Sequence, residues 1–309
     1  MLRIFVAGGT GVIGRRVVPA LAAAGHRLSV ATRSEESHAR LVSQGASPVL
    51  VDLYDLVDVR RAVGQQDVVI NLATHVPSST KKMVLPWAWR ENDRVRRVVS
   101  ANLAEAARSG SADCFIQESY APIYEDGGDK WIDESWPVRP AHYNRSVLDA
   151  EGAANKFTKH GGRGIVLRFA NFYGPDSFAT REMIESVKRG SSPLPGPPEA
   201  YTSSVSHDDA AAAVVASIHV PAGTYNVSDD EPLTRREWLD SLAKALGVKT
   251  PSTIPGWVAK LGGSMMELLA RSQRISSQKL RENSDWQPAT PSIRDAWPAL
   301  VRSAGSQGA

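Results

Sequence analysis

Cysteine is almost absent from this 309-residue chain: Cys114 stands alone, so no disulfide can close within it. That usage fits a reducing compartment. Long apolar runs are missing too. Nothing approaches the unbroken length of a membrane span, and the short apolar segment at the start carries Arg3, unlike a signal peptide. Charge of one sign is scarce, since 36 basic against 33 acidic residues leave a net +3. The basic residues are scattered, so no nucleic-acid patch is indicated, although a slight positive balance suits an anionic cofactor. Internal repeats, low-complexity blocks, zinc-ligand spacing, a P-loop and a nucleophile elbow are all lacking. With 42% hydrophobic residues the chain has ample material for a core. The expectation is a cytoplasmic protein without membrane or nucleic-acid partners, long enough for one large α/β domain and a smaller one.

What the chain does have is concentrated at its start. Leu2-Arg3-Ile4-Phe5-Val6 reads as a buried strand, and apolar residues from Val12 to Leu21 recur at helical spacing, with Pro19 expected to bend that helix. Between them lies Gly8-Gly9-Thr10-Gly11-Val12-Ile13-Gly14. Glycines 8, 11 and 14 therefore fall at a strand-to-helix turn, where a missing Cβ lets backbone N–H groups approach a pyrophosphate at a helix N-terminus. Gly8, Gly11, Val12, Ile13 and Gly14 form the candidate cradle. The spacing is GxxGxxG rather than GxGxxG.

GGTGVIG at the start of a chain resembles the extended and atypical short-chain dehydrogenase/reductases, a group that includes NAD(P)-dependent sugar epimerases and dehydratases. The resemblance implies a Rossmann-like, doubly wound parallel sheet with a smaller, mostly C-terminal substrate-binding domain. On that pattern residues 1–170, with a returning segment at about 201–228, bind the dinucleotide. Residues 171–200 and 229–309 form the substrate-binding part.

Alternating strand and helix signals along the chain agree with a parallel sheet. The second strand, Arg27 to Thr32, ends where an NAD-preferring site usually carries an acid. Here Thr32-Arg33-Ser34 offers a cationic fork and two hydroxyls to a 2′-phosphate, with Arg15 placed to help. NADP(H) is thus favoured, with NAD(H) as the alternative. A helix around residues 35–44, a third strand Pro48 to Val51 and a helix over 55–63 follow. The resemblance sets Asp52 and Leu53 beside the adenine. It also makes Asn71-Leu72-Ala73, at the end of the fourth strand, the nicotinamide side, through Leu72 and Ala73. Thr74 to Arg90, with Pro77, Ser78, Ser79, Pro86, Trp87 and Trp89, reads either as a substrate wall or as a tryptophan-anchored surface loop.

A long helix over residues 91–108 leads to a fifth strand, Cys114 to Glu118, and then Ser119. In the family the serine or threonine at this strand end bonds the substrate oxygen, and the resemblance gives Ser119 that role. Tyr143 sits where the family's Tyr-x-x-x-Lys tyrosine belongs, but the fourth residue on is Val147. On a helix, positions i and i+4 share a face, so the lysine would lie beside the phenol and lower its pKa. Valine supplies no charge, Arg145 points away, and Lys156 is too far along. Either Tyr143 works without that help or it is not the acid. Gly164 to Phe169 is a sixth strand, and Asn171-Phe172-Tyr173-Gly174-Pro175 resembles the family's entry to the substrate domain. Downstream, Asp208 or Asp209 is expected to cap an alanine-rich helix rather than join His207 in metal chemistry, and Thr234-x-x-Glu237 has the form of a capping box.

Three functions share these residues. The first is an NADP(H)-dependent oxidoreductase, or epimerase/dehydratase-like enzyme, on a small carbonyl or alcohol, with Ser119 holding the oxygen and Tyr143 moving the proton. The second is a non-redox isomerase or lyase on the same scaffold. The third is a non-catalytic NADP(H)-sensing protein. A small-molecule substrate and no metal are expected, with a homodimer as the candidate assembly.

Overall fold

The computed structural model describes residues 1–77, 79–83, 85–253 and 263–306. Seven strands form its central sheet: β1 (Arg3–Ala7), β2 (Arg27–Thr32), β3 (Ser47–Leu50), β4 (Val68–Asn71), β5 (Cys114–Tyr120), β6 (Arg163–Phe169) and β7 (Gly223–Val227). They pair in the order β7-β6-β5-β4-β1-β2-β3, and every pairing is parallel. The apolar runs in the sequence explain this. Ile4 to Ala7 and Cys114 to Ile116 are fully buried along consecutive positions, as strands covered on both faces require.

Helices cover both faces. On one side lie α1 (Gly14–Ala23) and α2 (Glu36–Ser43), joined by α7 (His207–Ala216) from later in the chain. There Val17, Val18, Leu21 and Leu41 meet Ala210, Ala213 and Val214 in one core cluster. The other side is covered by α3 (Leu56–Val63), α4 (residues 90–109) and α5 (Val147–Lys159). Val59, Val63, Leu103, Ala107, Ala154 and Phe157 form the core there. α4 is one continuous helix that widens into a π-helical stretch at Val95–Val99 before resuming as Ser100–Ser109. α1 runs on through Pro19 as a single element.

A second apolar cluster lies beyond the sheet. α6 (Phe178–Lys188), α8 (Arg235–Leu246) and α11 (Ile293–Ser306) pack through Ile184, Val187, Leu239, Leu242 and Leu300. Its centre is the edge-on pair Trp238–Trp297, with ring centroids 4.9 Å apart. Two further helices, α9 (Gly263–Ala270) and α10 (Gln278–Asn283), complete the C-terminal part. Among the described residues no helix is long and apolar enough to cross a membrane.

Several local expectations shift. β5 runs through Ser119 to Tyr120 instead of ending at Glu118. Ser206, not Asp208 or Asp209, caps α7: its hydroxyl accepts from the Asp209 N–H at 2.9 Å, because the helix begins ahead of both aspartates, at His207. Asp209 turns instead to the Ala289 N–H at 2.6 Å. The capping box at Thr234 and Glu237 forms as its sequence predicts. Of the segment 74–90, Ser78 and Val84 lie outside the described residues.

Trp297 is fully buried. Trp297→Ala is expected to cost about 3–5 kcal/mol, because so large a cavity cannot close. Urea denaturation should show a much lower midpoint at an unchanged slope.

Candidate active site

β1 leads directly into the glycine turn. Gly8 has φ +81°, and a Cβ there would lie 2.5 Å from the Leu72 carbonyl at the end of β4. A Cβ on Gly14 would fall 2.1 Å from the Gly8 oxygen. These two glycines let the turn pack on itself and on β4. Gly11 differs: its Cβ would meet only the Gly8 oxygen, at 3.3 Å, and the residue is exposed. Val12 is exposed and Ile13 half-buried, and Ile13, at the start of α1, makes no side-chain cap. The turn is therefore tight on its inner side and open on its outer side, with an uncapped helix N-terminus behind it.

At the end of β2, Thr32 is buried and its hydroxyl donates to the Ser34 carbonyl at 2.9 Å, shaping the bend that exposes Arg33 and Ser34. Arg15 is drawn elsewhere, into an ion pair with Asp176, which also takes Arg16 at 2.9 Å and His207 at 2.8 Å. Burial holds His207 below its ordinary pKa, against the pull of that carboxylate. Among the described residues no cluster of His, Cys, Asp and Glu forms a metal site. Asp52 is exposed and accepts from the Tyr54 N–H at 2.9 Å, and the Leu53 carbonyl accepts from Asn102 at 3.0 Å. The end of β4 is held by Asn71, whose amide donates to Gln117 at 2.9 Å and accepts from the Ala73 N–H at 3.1 Å. Leu72 is buried beside Gly8, and Ala73 is half-buried.

β5 carries the two polar arrangements that matter most. Ser119 is fully buried and donates to Glu151 of α5 at 2.6 Å. Glu151 in turn receives Arg168 of β6 through two bonds, at 2.8 and 2.7 Å. The Ser119 hydroxyl is thus committed to an internal network. The next residue, Tyr120, faces differently, as strand alternation requires. Its hydroxyl donates to Asn171 at 3.2 Å, and its ring packs in a cluster with Trp89, Ala141, Tyr143 and Leu268. Tyr143 itself lies in a short 3-10 turn, His142–Asn144, just before α5, with its ring 4.8 Å from Trp89. Burial raises its phenol to about 12, with Arg96 and Arg271 pulling the other way. Val147 is the first residue of α5 and fully buried.

The site candidates therefore separate. The glycine turn, β2's end and β4's end share the carboxyl edge of the sheet, where open α/β folds place ligands. Tyr143 joins Tyr120 and Trp89, whereas Ser119 joins Glu151 and Arg168. Two residues that sequence reasoning passed over come into view. Tyr120 could have been found by continuing the period-two pattern of β5 beyond Glu118. Arg96 is buried on α4 with an ion pair to Glu118 of β5 at 3.8 Å. Its signal is the spacing Asn92, Arg96, four residues apart on one helix.

Comparison with known proteins adds a family. The model of the NAD dependent epimerase/dehydratase family matches residues 4–227. A Streptomyces 3-diazoavenalumate denitrifying reductase is 30% identical, covering 95% of this chain and 98% of that protein. A 4-hydroxy-2-methyl-3-oxo-4-farnesyl-3,4-dihydroquinoline-1-oxide ketoreductase of Stigmatella aurantiaca is 26% identical over 88% of this chain and 81% of its own. Among solved structures, a Thermus thermophilus UDP-glucose 4-epimerase in complex with NAD superposes with a TM-score of 0.74 at 24% identity, covering 99% and 100% of the two chains. A human epimerase family protein with NADPH gives 0.77 at 18% identity, covering 97% and 99%.

The Glu151–Arg168 pair carries a stability test. Glu151→Ala would strand a buried guanidinium, at a cost of about 3–5 kcal/mol. Denaturant titration at neutral pH should register most of that loss, while Ser119→Ala, which leaves the ion pair intact, should cost far less.

Proposed function

Because the chain belongs to the NAD dependent epimerase/dehydratase family, and is thereby an enzyme of oxidoreductase or epimerase type, we propose that it is an NADP(H)-dependent reductase of small organic carbonyl compounds. The observation that carries this reading is the buried phenol of Tyr143. It is held at about 12 beside an apolar wall of Trp89 and Leu268, with valine where a lysine would activate it. Such a group is a proton donor at neutral pH and a very poor base.

The glycine turn fits a dinucleotide. Gly11 leaves open the space a Cβ would fill, and the uncapped start of α1 offers N–H groups and a partial positive charge to a pyrophosphate. Gly8 and Gly14 keep that turn compact, Val12 and Ile13 begin the helix, and Asp52 and Leu53 would flank the adenine. Leu72 and Ala73 would border the nicotinamide. Arg33 and Ser34, exposed by the Thr32 bend, would hold a 2′-phosphate, which favours NADP(H) over NAD(H). When bound, the reduced nicotinamide supplies hydride. Tyr143 gives its proton to the carbonyl oxygen as that oxygen gains charge. Tyr120 and Asn171, bonded to each other, border the same space. Residues 171–200 and 229–309 would form the substrate-binding part, and Ser119 would support the site through Glu151 rather than touch substrate.

Calorimetry on the full chain should show tighter binding of NADPH than of NADH, with Arg33→Ala removing most of the difference. Gly11→Val should remove binding of both while leaving circular dichroism unchanged, since its side chain points outward. Equal affinities for the two nucleotides in the natural protein would sink the NADP assignment.

The pH dependence follows from the phenol. With a pKa of about 12 the neutral donor is present throughout the physiological range, so carbonyl reduction should be flat from neutral to moderately alkaline pH. Alcohol oxidation needs phenolate, present in about one molecule in a hundred thousand at pH 7, and should climb about tenfold per pH unit. A panel of small carbonyls and alcohols, run in both directions with Tyr143→Phe alongside, checks this. Unchanged turnover without the phenol would remove Tyr143 from the mechanism.

A further inference from the structure

Two buried charge pairs of opposite character lie along β5. In one, Arg168 grips Glu151 with two short hydrogen bonds. In the other, Arg96 and Glu118 stand 3.8 Å apart, and both the Arg96 Nε and the Glu118 Oε2 are buried without a hydrogen-bond partner. Both atoms of the Asn144 amide, in the turn that carries Tyr143, are likewise unpartnered, as is the Asn92 nitrogen. A buried guanidinium is costly unless its donors are satisfied, so a loosely held one is poorly explained by stability alone. Arg96 also sits in the π-helical stretch of α4, a local irregularity that often marks functional positions. α4 packs against the start of α5, with Asp93 accepting from the Ser146 hydroxyl at 2.6 Å, and Trp89, just before α4, touches the Tyr143 ring.

We infer that Arg96 is a positioning residue that supplies, from the helix facing Tyr143, the cation that Val147 does not provide. The inference rests on the reductase reading above. Hydride from the reduced nicotinamide dinucleotide forms the new C–H bond, and the carbonyl π pair moves onto oxygen. That oxygen takes the Tyr143 proton as the phenolic O–H bond breaks. The phenolate left behind is balanced by Arg96 until water reprotonates it. The other groups around Tyr143 do not serve this role equally. Tyr120 is neutral, and Arg271 is anchored through donation to the Tyr124 and Arg139 carbonyls at 3.0 and 2.6 Å. The field of Arg96 acts on Tyr143, Tyr120 and Glu118 alike, opposing in each the upward push of burial on pKa.

The test reads Tyr143 directly. With tyrosines labelled at Cζ, the Tyr143 carbon resonance is assigned by its loss in Tyr143→Phe, and its movement towards the phenolate position is followed to about pH 11, where a phenol near 12 is about one-tenth ionised. Arg96→Gln should abolish that movement, and Arg96→Lys should retain most of it. In turnover, Arg96→Gln should lower kcat for reduction about tenfold or more with KM little changed, and Arg96→Lys should recover part of the loss. An identical Tyr143 titration in Arg96→Gln overturns the inference. If Arg96→Gln fails to fold, Arg96→Gln/Glu118→Gln removes the pair as a unit and must show the same lost movement, an unaltered titration again being fatal. The resonance needs no substrate, so its outcome stands apart from the reductase reading, which fails instead if Tyr143→Phe keeps full turnover.

Discussion

The Glu151–Arg168 contact is the constraint on which the geometry of the site depends. Glu151 belongs to α5, Arg168 to β6, and Ser119 of β5 adds its hydroxyl to the same carboxylate. One buried anion thus ties a helix to two adjacent strands. Fully desolvated charges repay their burial only in such saturated geometry, and any slide of α5 along the sheet would break three hydrogen bonds at once. The turn holding Tyr143 immediately precedes α5, so the carboxylate fixes where the phenol can be. Arg168 also lies 4.9 Å over the Tyr124 ring, and Tyr124 reaches Asn226 of β7 at 2.8 Å, carrying the same constraint to the sheet's edge.

Such a scaffold lets the neighbouring charge pair on β5 be left unsatisfied. A network whose every donor is used has no capacity to bind anything else. Arg96, Glu118 and Asn144 keep unused atoms in a buried space, at a free-energy cost that the saturated pair and the apolar clusters offset. Ser119 and Tyr120 sit one residue apart yet belong to these two regimes, because consecutive strand residues point to opposite faces. Ser119 therefore bonds within the saturated network, whereas the Tyr120 hydroxyl donates to Asn171.

Much of this was legible in the residues themselves. The parallel sheet follows from apolar runs separated by helical periods, and the glycine turn is visible in its spacing and its place between β1 and α1. Thr32-Arg33-Ser34 stands where β2 ends, as its alternation predicts. The less legible features depended on a boundary or on packing. β5 runs two residues past Glu118, so Ser119 lies inside the strand and Tyr120 ends it. The cap of α7 lies at Ser206 because the helix starts ahead of both aspartates, at His207. Arg15 was within reach of the β2 end in sequence terms, but Asp176, far along the chain, claims it. Arg96 looks like one more helical arginine among Arg94 and Arg97 until the sheet is placed against it.

A cation on the facing helix differs physically from one four residues along the chain from the tyrosine. With lysine at i+4 the separation is set by covalent geometry and survives any movement of the helix as a body. With Arg96 the separation is set by how α4 packs against β5 and the turn before α5. Coulombic energy falls as the inverse of distance and is strongest where water is excluded, so a small shift of α4 would change the acidity of Tyr143. Trp89 stands on that helix's entry, against the Tyr143 ring, and its indole N–H donates to the Met83 carbonyl at 2.7 Å. The ring packed on Tyr143 and the Arg96 cation are therefore carried by one continuous segment. Contact with the first is physically able to adjust the second, a coupling that a lysine four residues from its tyrosine does not provide.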